Sequence, residues 1–301
     1  MIALTGSTGF IGSYIADALP FPQKRLIRRP SSSNSFIPVQ GDLNNHSDLE
    51  NLVDDATTLI HLAWVNNPWT ANRDIQHDIA QNLIPTVQLF ELFAKKNPKG
   101  HIIFASTGGN MYQGNFDNPY MESDPARPWS SYSINKLTAE HYLRFFCSKY
   151  GIKGTVLRIS NPYGVILPAS RTNGLIGVIF AKLLNNEPLN IIDSLESVRD
   201  YLHLEDLKDA FNLIIENPPS LENFRLFNIS SGKGYSLLEI METIEEITEN
   251  KILKNFANAH CSPTWSVLSR KYIKDSLNWE PKISLKDGLK QMWQTKKTCC
   301  I

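Results

Sequence analysis

Short apolar, strand-like runs recur along the first half of the chain, at 2–5, 25–27, 38–40, 58–62, 101–105 and 154–159. Between them, the segments 11–19, 48–53, 74–96 and 132–150 carry apolar residues at the three- and four-residue spacing of amphipathic helices. Strands this apolar, alternating with helices, predict a parallel sheet covered on both faces. Pro85 falls inside the 74–96 segment, which predicts a kink or break there. Beyond Asn161 the alternation loosens into Pro-, Asn- and Gly-containing loops around helices at 175–184, 206–215 and 237–249.

The turn after the first run reads TGSTGFIG, with Gly6, Gly9 and Gly12 followed by a helical pattern. The first glycine permits a tight turn, the second lets a phosphate approach the backbone, and the third lets helix pack on strand. A glycine-rich stretch alone is equally an ordinary turn. Its place between strand and helix, ahead of several more α/β units, favours a pyrophosphate cradle. The predicted fold class is α/β, a Rossmann-type doubly wound parallel sheet with a smaller C-terminal substrate lobe. A dinucleotide-binding domain is expected over 1–160 and the lobe over 161–301, with segments near 200–225 returning to the first domain.

Composition narrows the partners. Lys plus Arg and Asp plus Glu cancel at 30 each, so neither nucleic acid nor an acidic membrane is implied. The apolar start at Ile2 predicts no signal peptide, and no apolar stretch is long enough to span a bilayer; a cytoplasmic protein is expected. Cys147, Cys261, Cys299 and Cys300 lack metal-ligand spacing and read as reduced thiols, the last two in a frayed tail. Thr298 holds the position that a prenylated cysteine would need. His61, His77, His101, His141 and His203 form no ligand grouping, so no metal is expected.

Tyr132 and Lys136 lie four apart at the start of a predicted helix, on one face. A phenol ionises near pH ~10, and a neighbouring ammonium favours the phenolate, which suits acid–base work. Such pairs also occur in helices by chance. The segment Phe104-Ala105-Ser106-Thr107-Gly108-Gly109 supplies hydroxyls at the end of a predicted strand, where ligands bind in this architecture, although turn chemistry explains them too. Trp64 and Trp69, just beyond another strand end, either line a substrate entrance or pack.

TGSTGFIG, GDL (Gly41–Leu43), HLA (His61–Ala63), AST with its two glycines, YSINK and RISNPYG (Arg158–Gly164) follow one another in an order that resembles the extended short-chain dehydrogenase/reductases. VRDYLHLEDL (Val198–Leu207), FNISSGKGYSLLEI (Phe227–Ile240) and LNWEPKISLKDGL (Leu277–Leu289) continue the resemblance over essentially the whole chain. It is strongest to the nucleotide-sugar branch of 4-epimerases, 4,6-dehydratases and 4-keto reductases. The resemblance implies that Tyr132 is the general acid/base and that Lys136 holds the nicotinamide ribose and depresses the tyrosine pKa. Thr107, or else Ser106, would hydrogen-bond the reacting sugar oxygen. The cofactor would lie on Gly6, Gly9, Phe10, Ile11 and Gly12, with Asp42 and Leu43 at the adenine and Ala63 lining the cleft. Asn161 and Arg199 would meet the sugar diphosphate, and Asn82 matches a structural asparagine. Plainer readings stand beside these: Asp42 as a turn cap, Asn161 as a loop residue before proline, Arg199 as a salt-bridge partner. Relatives commonly dimerise through two helices, here 74–96 and 132–150. Leu83, Val87, Phe90, Leu137 and Phe145 could supply apolar contact in such a homodimer, or simply pack the core.

Dehydratases of this family follow the Ser/Thr with an acid pair, whereas this chain has Gly108-Gly109-Asn110, which argues against dehydration. Hydride exchange at C4, by a reductase or an epimerase, is left. NAD-specific members carry an acid at the end of the second strand; here Arg28 and Arg29 stand, suited to a 2′-phosphate or simply to a solvated loop. The expectation is NADP(H), with NAD(H) as the alternative. The favoured function is reduction of a nucleotide-linked 4-keto-6-deoxy sugar, of the kind that supplies bacterial surface polysaccharides. An NAD-dependent 4-epimerase is the alternative, and a non-catalytic redox sensor is disfavoured by the presence of both Tyr132 and Lys136.

Overall fold

The computed structural model describes residues 1–20, 22–30, 35–114, 118–170, 174–192, 194–220, 222–256 and 264–296. The first half runs β1 (Ile2–Thr5), α1 (Gly12–Ile15), β2 (Gln23–Ile27), β3 (Ile37–Gln40), α2 (His46–Val53) and β4 (Thr58–His61). It continues through α3 (Pro68–Arg73), α4 (Ile75–Asp78), α5 (Ile84–Lys96), β5 (His101–Thr107), α6 (Ser131–Tyr150) and β6 (Lys153–Ile159). The second half holds β7 (Asn161–Tyr163), α7 (Leu175–Leu184), β8 (Leu189–Ile191), β9 (Val198–His203), α8 (Leu204–Glu216) and β10 (Phe224–Ile229). It closes with β11 (Gly234–Ser236), α9 (Leu237–Thr248), β12 (Lys254–Phe256), β13 (Trp265–Ser266), α10 (Lys271–Leu277) and α11 (Leu285–Thr295).

Seven strands form one all-parallel sheet in the order β10-β6-β5-β4-β1-β2-β3. The order reverses between β1 and β4, so a crevice opens at their C-terminal ends. The Rossmann-type expectation holds, with β10 added at one edge. Smaller sheets lie beyond it: β9 takes β11 and β13 on its two sides and pairs with β7, and β8 pairs with β12.

Strand periodicity divides the core in two. On β5, Ile102 and Phe104 pack with Phe90 and Phe93 of α5 and Leu143 of α6, while Ile103 and Ala105 join the cluster built by α7, α8 and α9. Each fully buried phenylalanine contributes roughly 1.5–3 kcal/mol relative to exposure. Phe90 is fully buried, so it is unavailable to the helix interface for which its sequence position suggested it. Leu83, Val87 and Leu137 are partly buried against core clusters, and Phe145 is half exposed.

Two predicted helices are interrupted. The 74–96 segment is split by a π turn over Ile79–Leu83, after which Pro85 occupies the first turn of α5. Proline's missing N–H and its ring preclude the regular i−4 bond, and the wider turn just before it takes up the mismatch. The 11–19 segment forms α1 and then a 3₁₀ turn at Ala16–Ala18, with Leu19 extended before Pro20 as the proline ring requires.

Gly6 adopts φ +75°, and a Cβ there would come within 2.5 Å of the Ala63 amide nitrogen. A Cβ on Gly12 would lie 2.0 Å from the Gly6 carbonyl oxygen, whereas one on Gly9 would meet only that oxygen, at 3.3 Å. Gly6 and Gly12 are therefore required by the packing of β1 on α1 and β4, and the face of Gly9 is left open. Gly12→Ala is expected to lose about 1–3 kcal/mol of stability and dinucleotide affinity together. Denaturant unfolding and ligand titration read the two losses.

Candidate active site

The site is assembled at the C-terminal edge of the large sheet. At one end, Arg28 and Arg29 follow β2 and are exposed. Arg28 lines a hollow with Gln40, Gly41, Asp42 and Asp48. Asp42 accepts from the backbone and side-chain nitrogens of Asn44, both at 2.9 Å, so it does cap a turn. Those bonds, assisted by Arg28, hold its carboxyl below the usual range. The Asp42 amide donates to Asp48 Oδ2 at 2.9 Å. Leu43 is half-buried and packs toward the α2–α5–α6 core. Phe10 and Ile11 pack against the opposite core at the glycine turn.

Beneath the crevice, His61 bridges Thr5 Oγ1 at 2.7 Å and Thr86 Oγ1 at 2.9 Å. Burial, with the nearby Lys136 charge, pushes its pKa down to about 3, so the ring is neutral and acts as a packing strut. The Ala63 amide rests 3.4 Å from Thr5 Oγ1, against Gly6.

The other end carries the candidate reacting groups, Tyr132, Lys136 and Thr107. Ser130 and Ser133 form a capping box that starts α6 two residues before Tyr132; such caps are worth about 1 kcal/mol. The Tyr132 phenol is hydrogen-bonded by Thr107. Lys136 is buried and donates to the Ala105 carbonyl at 2.6 Å. Its ammonium lies 3.9 Å from the Trp64 ring centre and 4.7 Å from that of Phe104. The Trp64 ring also stands edge-on to Tyr132 at 6.0 Å, so the ring touches both members of the pair. Its Nε1 is buried without a partner.

Electrostatics separates the pair. Burial pushes the Tyr132 phenol up to about 12; Asp78 adds to this and the Thr107 hydrogen bond opposes it. Burial pulls Lys136 down to about 7, against the charges of Glu140 and Asp78. The lysine ammonium is 5.9 Å from the phenol ring centre and is engaged by Ala105.

Ser106 lies elsewhere. Its hydroxyl donates to Glu140 Oε1, part of a buried ion pair in which Glu140 meets Arg158 at 2.7 Å. Alternation along β5 puts Ser106 on the α6 side and leaves Thr107 for the phenol. Asn161 donates to the Asp200 carbonyl at 2.9 Å, and its side chain is what a Cβ on Gly109 would meet, at 3.4 Å. Arg199 is partly buried and donates to the Val198 carbonyl at 2.9 Å. Asn82 accepts from the Val65 amide at 2.7 Å and donates to Asp78 at 2.8 Å, a structural tie for the loop after β4.

Sequence reading passed over Asp78 and Glu140. Both carried a spacing signal: Glu140 is one turn beyond Lys136, and Asp78 is one turn before Asn82. Cys147 is a buried thiol; Cys261, Cys299 and Cys300 lie outside the described residues. So do 171–173 and 257–263. Among the described residues no His, Cys, Asp and Glu cluster could hold a metal, and no helix is long and apolar enough to cross a membrane.

Comparison with known proteins agrees with this fold. The profile of the NAD dependent epimerase/dehydratase family matches residues 2–230. A dTDP-4-dehydro-6-deoxyglucose reductase of Escherichia coli is 31% identical over 307 residues, covering 97% of this chain and 96% of its own. The UDP-glucose 4-epimerase of Thermotoga maritima, solved with UDP-glucose, has a TM-score of 0.88 at 28% identity over 97% of each chain. A UDP-glucose 4-epimerase of Thermus thermophilus solved with NAD shares the fold, with a TM-score of 0.87 at 24% identity over 96% of each chain. The chain belongs to the NAD-dependent epimerase/dehydratase family of extended short-chain dehydrogenase/reductases, and is an NAD(P)-dependent enzyme of the nucleotide-sugar epimerase and reductase group.

Tyr132→Phe keeps the ring and deletes the proton. Turnover is expected to fall by about 10²–10⁴-fold while dinucleotide affinity is unchanged, as read by steady-state kinetics beside a binding titration.

Proposed function

We propose that the protein is a C4 reductase of a nucleotide-linked 4-keto-6-deoxy sugar, with NADPH as reductant. The observation that carries this reading is the exposed Arg28 and Arg29 beyond β2, which suit the 2′-phosphate of a reductant exchanged at each turnover. Tyr132, beside Thr107 and Lys136, would serve a reductase or an epimerase alike. The glycine turn fits a dinucleotide, because Gly6 and Gly12 close the backbone tightly while Gly9 leaves an open face. When bound, a reduced nicotinamide would supply the hydride to C4.

The chain's own residues supply the rest. Thr107 orients the C4 oxygen beside Tyr132 Oη. Tyr132 passes its proton to that oxygen as negative charge develops there, so the ketone becomes an alcohol and a phenolate is left. The Lys136 ammonium stabilises the phenolate until solvent reprotonates it. Asn161 and Arg199 would take the sugar diphosphate, and Arg28 and Arg29 the adenosine 2′-phosphate. The 31% identity to the Escherichia coli reductase supports the same reading. The likeness to a 4-epimerase solved with UDP-glucose favours epimerisation as the second reading. The product would be a 6-deoxy sugar nucleotide of the type used for surface polysaccharides. A homodimer through α5 and α6 is also proposed, because Ile84, Ile134, Tyr142 and Phe145 are exposed there.

dTDP-4-keto-6-deoxyglucose should oxidise NADPH, followed by the loss of its near-ultraviolet absorbance, with a 6-deoxyhexose nucleotide seen by NMR. Failure of that turnover, with UDP-glucose converted to UDP-galactose without added dinucleotide, would overturn the reductase. Arg28→Ala with Arg29→Ala should raise the KM for NADPH by about tenfold or more, from the loss of charge-assisted hydrogen bonds. The KM for NADH should hardly change; equal effects on both would refute the assignment of these arginines.

A further inference from the structure

Asp78, the last residue of α4, is fully buried, and no step of the proposed chemistry uses it. Its Oδ1 accepts from Asn66 at 3.1 Å and Asn82 at 2.8 Å. Its Oδ2 accepts from the Ser131 hydroxyl at 2.8 Å and Asn135 at 2.7 Å. A carboxylate offers about four acceptor sites, and four neutral donors fill them. Among the described residues none of these hydrogen bonds is from a cation. A buried carboxylate without a hydrogen-bonded counter-ion is costly even when its acceptor sites are filled, which calls for a purpose beyond packing.

The donors show what it joins. Ser131 and Asn135 each precede, by one residue, Tyr132 and Lys136 on α6. Asn66 belongs to the loop after β4, and Asn82 holds the Val65 amide of that loop. Trp64, in the same loop, covers the Lys136 ammonium. One carboxylate thus spans the helix that carries the reacting pair and the loop that roofs it. We propose that Asp78 is a positioning residue: it locks α6 to the loop after β4 and, second to Glu140, adds to the buried negative charge around Lys136.

Of the two carboxylates that favour the Lys136 ammonium, Glu140 acts more strongly and Asp78 adds to it. Tyr132 and Glu140 come from α6, His61 from β4, and the Ala105 carbonyl and Phe104 ring from β5. His61 is neutral, and the Glu140 charge is shared with Arg158 and Ser106.

The inference rests on reading Tyr132 and Lys136 as the reacting pair, but its test uses no substrate. Titration of Lys136 alters the emission of the indole on which it sits, with Trp64→Phe protein as the blank. In the intact protein the transition should fall near pH 7. Asp78→Asn should lower its midpoint by about one pH unit. Ser131→Ala, which removes a tether and keeps the charge, should leave the midpoint in place. The alkaline limb of kcat/KM, for whichever nucleotide sugar the enzyme converts, should move down with the midpoint. An unmoved midpoint in Asp78→Asn, or an equal shift in Ser131→Ala, overturns the proposal. Should Asp78→Asn not fold, Asp78→Ser carries the same expectation; if neither folds while Ser131→Ala does, Asp78 serves stability alone and the proposal fails. A protein that shows the shift yet turns over no 4-keto sugar refutes the reductase and leaves this inference standing.

Discussion

The burial of one ammonium governs the site. Lys136 is withdrawn from water at the end of β5, and a lone buried charge is strongly disfavoured. The Ala105 carbonyl, the Trp64 and Phe104 faces, and the carboxylates of Glu140 and Asp78 offset that penalty together. They come from four parts of the fold: the end of β5, the loop after β4, the third turn of α6, and α4. Holding the lysine therefore fixes where those parts meet, and their meeting point is the pair Tyr132 and Lys136.

Much of this frame was legible in the sequence. Six of the seven strands of the large sheet read out, because continuous apolar runs such as 2–5 and 101–105 belong to strands buried on both faces; β10 did not. Gly6 and Gly12 read out because close backbone packing leaves few other residues possible. Tyr132, Lys136 and Thr107 were named and lie together, while Ser106 was named and lies with Glu140. That distinction is one of strand phase, which a list of hydroxyl residues does not carry. Phe90 was offered to an interface and belongs to the core, because helical spacing marks an apolar face without saying what covers it.

What escaped reading was long-range and polar. Asp78 draws its donors from Asn66, Asn82, Ser131 and Asn135, brought together only by the tertiary fold. The π turn before Pro85 likewise follows from a hydrogen-bond register that composition does not encode. The depressed lysine and raised tyrosine pKa values come from burial, and burial is a property of the folded chain.

A reductase and an epimerase built on these residues differ most plainly in what they do with their dinucleotide: one exchanges it at each turnover, the other keeps it. The most direct measurement is to identify any dinucleotide released from the purified protein and then to titrate the stripped protein with NADPH and NADH. The expected result is a cleft that is largely empty and takes NADPH in preference to NADH. Tightly retained NAD(H) at near-stoichiometric occupancy would contradict the reductase and assign the site to a 4-epimerase that recycles its own hydride.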